Sequence, residues 1–137
     1  MDKLRELAAL HDMLFDQEQA RLAGIQNDRS ALEAEAARLA QHARDVLVGG
    51  PTPLETGGLD VGAAWATHLL ARRQSVQSAL ANARAEELQQ KELTARSLAR
   101  RDATRSLADQ LAEAQKTTAR RKAEAAQEDL IALYRLR

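Results

Sequence analysis

Gly49-Gly50-Pro51-Thr52-Pro53-Leu54-Glu55-Thr56-Gly57-Gly58 holds four of the chain's six glycines and both of its prolines. Glycine just past a helix end adopts the left-handed conformation cheaply, and a following proline cannot continue the helix. A helix is therefore expected to stop near Val48. Asp60 is placed to cap the next one, because its carboxylate accepts a hydrogen bond from an orphan backbone N–H. Gly62 is a small defect in the new first turn. From Ala63 to Arg137 there is neither Gly nor Pro. On the other side, Gly24 is the only breaker in the first arm, costing about 1 kcal/mol relative to Ala. No segment alternates with period two over strand length. The pattern predicts one all-α domain over 1–137, with a helix at about 3–48, a loop at about 49–60 and a helix at about 61–136. Two helices joined by a short loop fold back antiparallel. The expected architecture is a long two-helix coiled-coil hairpin whose C-terminal helix is the longer.

The apolar repeat is clearer in the first arm. Ile25, Leu32, Leu39 and Val46 are spaced by seven, and Leu22, Ala36 and Ala43 fill the intervening positions, with Arg29 as the exception. Leu4, Leu7 and Leu14 form a similar stripe with His11 between. The two stripes are out of phase near Glu18 to Leu22, which predicts a stutter. The second arm opens with Trp65, Leu69, Val76, Leu80 and Ala83, and Trp65 is expected to lock the arms together beside the loop. Beyond these, Leu88, Leu93, Leu98, Leu107 and Leu111 follow no single heptad.

At 1.5 Å per residue the first helix would be roughly 70 Å long and the second roughly 115 Å. Folded about the loop, Leu4 would fall near residue 104, leaving a C-terminal overhang of about 30 residues, on the order of 45 Å. The overhang ends Leu130-Ile131-Ala132-Leu133-Tyr134-Arg135-Leu136-Arg137. A helix is held mostly by packing, so this end asks for a partner. The seam itself is thin, because an alanine buries far less apolar surface than a leucine.

Composition narrows the function. Of 137 residues, 45% are hydrophobic but only 2% aromatic, and twenty basic groups balance twenty acidic ones. About half the chain is Ala, Glu, Lys, Leu and Arg, the signature of long helices and coiled coils. There is no cysteine, hence no disulfide frame, zinc-thiolate site or thiol nucleophile. No apolar run approaches the roughly 20 residues that span a bilayer. The N-terminal stretch carries Asp2, Glu6, Asp12 and Asp16 and does not read as a signal peptide.

Catalysis finds no constellation. His11, His42 and His68 make no metal-spaced motif; His42 and His68 would approach each other near the loop but lack a third ligand. The glycine pairs lack the Gly-Lys-Ser/Thr ending of a phosphate loop. Carboxylate pairs such as Glu86-Glu87 and Glu128-Asp129 lie on helices with no enclosed pocket to tune a pKa. The expectation is a non-enzymatic protein without metal or cofactor. Charge is uneven: residues 1–48 carry six basic and nine acidic groups, and residues 61–137 fourteen and nine. Arg100-Arg101 and Arg120-Arg121-Lys122 are basic clusters, but no aromatic residues interleave for base stacking, so no nucleic acid is expected. The Ala-rich stripe also lacks the aromatic anchors of a membrane-surface helix.

In this layout the chain resembles the FliJ family of flagellar export proteins, and more loosely the stalk proteins of virulence type III secretion. The resemblance rests on the spaced leucines Leu4, Leu7 and Leu14, the Gly/Pro break, and the apolar patch Trp65, Leu69 and Leu70. It also rests on the basic-then-acidic ending Arg120-Arg121-Lys122-Ala123-Glu124-Ala125-Ala126-Gln127-Glu128-Asp129-Leu130. It implies a cytoplasmic coiled-coil stalk, similar to that of the rotary ATP synthase gamma subunit, whose terminal ends enter a hexameric export ATPase and promote its assembly. Its other end would meet the membrane export gate, and export chaperones would bind it; membrane association would be through partners only. Carried over, the ATPase-binding residues would be Leu4, Leu7, Leu14, Arg100, Arg101, Leu111, Arg120, Arg121, Leu130, Leu133 and Tyr134. The gate-binding residues would be Leu39, Val46, Trp65, Leu69 and Val76. Where family members carry Tyr and Phe near the loop, this chain has Gln41-His42-Ala43-Arg44 and Leu69-Leu70. The competing expectation is a generic coiled-coil adaptor or self-associating structural protein, dimeric through its overhang.

Overall fold

The computed structural model describes residues 2–49 and 59–137, with side chains described for 2–46 and 62–137. The expected loop lies largely outside the described residues. Helix α1 spans Asp2–Gly49 and helix α2 spans Leu59–Arg135. Among the described residues only Leu136 and Arg137 are not helical, and there is no strand. The chain is an all-α hairpin. Asp60, expected as a cap, lies inside the first turn of α2 instead. Gly24 does not interrupt α1, because the surrounding strong helix formers carry one unfavourable residue easily. Asp2 in the first turn of α1 and Arg135 in the last turn of α2 complement the helix dipoles.

The chain divides into two compact units. The first comprises Met1–Asp16 and Ala95–Arg137. Its α1 segment turns Leu4, Ala8, His11 and Phe15 inward, at steps of four, three and four. Its α2 segment answers with Ser97, Arg101, Thr104 and Ala108, on the same alternation. His11 meets Thr104 and Phe15 meets Arg101, so numbering falls on α2 as it rises on α1, and the segments are antiparallel. The leucine stripe expected at the N-terminus is corrected here. Leu4 is half-buried, but Leu7 and Leu14 are exposed, and the inward positions belong to Ala8 and Phe15. The expected register is corrected as well: His11, not Leu4, lies opposite residue 104, a displacement of one heptad. Ala112 is the last residue of α2 to be even half-buried; every residue from 113 to 137 is exposed.

The second unit is Gln17–Thr94. Inward positions on α1 are Glu18, Leu22, Ile25, Arg29, Leu32, Ala36, Leu39 and Ala43. They follow steps of four and three without interruption, so the stutter expected near Glu18 to Leu22 is absent. Its premise was that Leu7 and Leu14 define the seam; once Ala8 and Phe15 do, Glu18 falls in phase. On α2 the inward residues are Leu69, Val76, Leu80, Ala83, Glu87, Gln90 and Thr94. The apolar core of this unit is small, with Val76, Leu80 and Ala83 buried. Trp65, expected to clamp the arms, is 41% exposed. It precedes the first inward position of α2 among the described residues, Leu69, and residues 62–68 are all exposed.

Candidate functional site

Beyond Ala83 the seam on α2 is polar. In the second unit Glu87 and Gln90 are buried, and both find partners on α1. Glu87 Oε1 accepts from Lys91 Nζ at 2.9 Å and from Gln26 Nε2 at 3.4 Å. Its Oε2 lies 3.1 Å from Arg29 Nε. That buried N–H is not aligned as a hydrogen bond, so the Arg29 contact is one of charge with charge. The Lys91 hydrogen bond, foremost, holds the Glu87 carboxyl below the usual carboxylate range; lost hydration opposes it, and Gln26 and the charges of Arg29 and Lys91 reinforce it. Gln90 donates to the Glu18 carboxylate and, at 3.3 Å, to the Glu18 carbonyl. Arg72 pairs with Glu35, and Arg84 with Glu33 at 3.5 Å.

The first unit repeats the device. Thr104, buried, donates its hydroxyl proton to the Arg100 carbonyl at 2.9 Å. Its oxygen lies 2.7 Å from His11 Nδ1. Arg105 closes one flank on Asp12 at 2.9 Å. The Arg101 guanidinium lies over the Phe15 ring, 4.4 Å from its centroid, and also bonds Asp102 at 3.2 Å. These groups hold two helices in one register. His42 and His68 are both exposed, and among the described residues no group of three or more His, Cys, Asp or Glu could hold a metal ion.

Exposed large apolar side chains occur in both units, and in the first unit they gather into two groups. On α1, Leu7, Leu10 and Leu14 recur at steps of three and four and share one exposed face, with Met13 beside them. On α2, Leu130, Ile131, Leu133, Tyr134 and Leu136 are all exposed, Tyr134 by 83%. Ile131 and Leu136 lie in the C-terminal stretch expected to need a partner, whereas Leu10 and Met13 belong to no expected stripe. These two become visible only after the seam has claimed its own residues and left them outside. Of the expected ATPase-facing set, Leu111, Arg100, Arg120 and Arg121 are exposed, and Leu4 is half-buried. Arg101 is half-buried and engaged with Phe15 and Asp102. Of the expected gate-facing set in the second unit, Trp65 and Val46 are exposed, and Leu39 and Leu69 are half-buried. Val76 is only 2% exposed, so it belongs to the seam and presents nothing to a partner. Shallow grooves run along α2, such as that lined by Gln127, Leu130, Ile131, Tyr134 and Arg135. One lined by a single helix cannot enclose a substrate.

No described helix is long and apolar enough to cross a membrane. No family model, curated protein or solved structure matches the chain.

Proposed function

We propose that the chain is a non-enzymatic stalk of a flagellar or related type III protein export apparatus, gripped at its terminal segments by a hexameric export ATPase. The reading rests on the resemblance to the FliJ family. One observation supports it above the others: residues 113–137 are all exposed and nearly all helical, and five large apolar side chains at their end are among them. Exposed apolar clusters of this kind mark protein interaction sites. The leucines Leu7, Leu10 and Leu14 add a second apolar face in the same unit. Arg100, Arg120 and Arg121 supply positive charge that acidic loops of a ring would meet, fixing orientation and partner choice. The export gate and export chaperones would be met by the second unit, through Trp65, Val46 and the half-buried Leu39 and Leu69.

The test is stimulation of ATP hydrolysis and hexamer assembly by an export ATPase from the same organism. Ending the chain at Ala112 removes only exposed residues. The shortened chain should melt like the full chain while losing stimulation and co-purification. Full stimulation by the shortened chain, or none by the intact one, would overturn the proposal.

A further inference from the structure

The exposed end of α2 has a pattern of its own. Ala108, Ala119 and Leu130 are eleven residues apart, as are Ala112, Ala123 and Tyr134. Eleven residues make about three turns of helix, so such rows stay on one face. Within the exposed stretch that face reads Gln115, Ala119, Ala123, Ala126, Leu130 and Tyr134. Its spacing is the same in both directions. About a midpoint between Glu124 and Ala125, position 123 exchanges with 126, 119 with 130, and 115 with 134. A face whose spacing is unchanged on reversal stays in register with an antiparallel copy of itself, as a two-fold interface requires. The side chains agree with the geometry, because the small Ala119 falls opposite the large Leu130.

The flanking charges agree as well. At 100° per residue, Lys122 and Asp129 fall together on one flank of the face. In an antiparallel two-fold pair, residues on the same flank of the two copies meet. Lys122 of each copy then lies beside Asp129 of the other, a contact made twice. A parallel pairing would instead bring opposite flanks together and separate Lys122 from Asp129 of the other copy.

We propose that a second copy of this chain covers this face, the two C-terminal segments running antiparallel over about residues 112–137 around an axis beside Glu124 and Ala125. An alanine-rich contact is weak for its size, which places the dissociation constant on the order of micromolar. Leu130 and Tyr134 are also assigned to the ATPase above, so the paired and ring-bound forms exclude one another. The pairing does not depend on the export reading, and its test uses the purified protein alone.

The chain has no cysteine, so introduced thiols report without interference, and positions 119 and 130 are exposed. Full-length Ala119→Cys is mixed with full-length Leu130→Cys and oxidised. The mixture should give a disulfide-linked heterodimer. Each variant alone should not, because its two thiols lie eleven residues apart along the pair, about 16 Å, beyond disulfide reach. Lys122→Glu should weaken the dimer about tenfold in sedimentation equilibrium, and adding Asp129→Lys should restore it. Efficient cross-linking of either variant alone would overturn the proposal in favour of a parallel pair. A monomer throughout the micromolar range, with no cross-link in the mixture, would overturn it outright.

Discussion

Phe15→Ala and Leu14→Ala test the assignment of the seam most directly, because the two residues are neighbours and only one faces inward. Phe15 is 7% exposed and Leu14 is 40% exposed. Truncating a buried Phe costs about 3–5 kcal/mol, from lost transfer free energy and the cavity left behind. A two-helix seam has no third layer, so the void is reached by water and neighbouring side chains, and the low end, about 3 kcal/mol, is expected. Leu14 gives up only part of the roughly 2 kcal/mol that full burial of a leucine supplies. Alanine is also the better helix former, so Leu14→Ala should cost about 1 kcal/mol or less. The difference of about 2 kcal/mol is roughly thirtyfold in the unfolding equilibrium. Urea titration followed by circular dichroism at 222 nm reads both, provided the slopes with denaturant stay equal. A companion cycle of Phe15→Leu with Arg101→Met should return a coupling of about 0.5–1 kcal/mol for the cation over the ring. If Leu14→Ala proves as costly as Phe15→Ala, the leucine stripe is the seam and the register that sets His11 against Thr104 is wrong.

Three further outcomes follow from particular side chains. Glu87 has a folded pKa below its unfolded value, so the stability it contributes is present above the unfolded carboxylate pKa and is lost as pH falls through the folded one. The urea midpoint should therefore fall on acidification, and Glu87→Gln should flatten that dependence. Thr104→Val keeps the side-chain shape but removes the hydroxyl that His11 meets, and should lower stability by about 1 kcal/mol in the same titration; no change would show that His11 makes no net contribution there. Gly24 lies within α1 and a Cβ built on it meets nothing within 4 Å. Gly24→Ala should therefore raise the urea midpoint, corresponding to about 1 kcal/mol, and a loss would reveal an unseen constraint on that turn.

Leucine turned out to be a poor guide to the seam in this chain. Leu7, Leu14, Leu88, Leu93 and Leu107 are all exposed, while Glu87, Gln90 and Thr104 are buried. Reading α2 by its leucines makes it irregular beyond Ala83. Reading it by burial gives steps of four and three through Glu87, Gln90 and Thr94 in one unit, and through Ser97, Arg101, Thr104 and Ala108 in the other. Arg29 was visible as the odd member of its stripe, but Glu87, the group that tolerates it there, lies 58 positions away on the other helix. The bare C-terminal end was legible, because an uninterrupted helical stretch with no counterpart of equal length leaves residues over. Its extent was not, since the register differs by one heptad.

Helicity and the single reversal follow from local chemistry. Strong helix formers fill both arms, and the Gly and Pro residues that would stop a helix are gathered at one place, so no tertiary information is needed to expect two helices. The face each helix buries is another matter. When alanine and leucine are scattered around the whole helix, several faces are nearly equal in apolar content, and one sequence cannot rank them. The opposing helix decides, by supplying Gln26 and Arg29 for Glu87, Glu18 for Gln90 and His11 for Thr104. A buried polar group is tolerable only where its partner stands, and those partners meet only after the chain has folded back on itself.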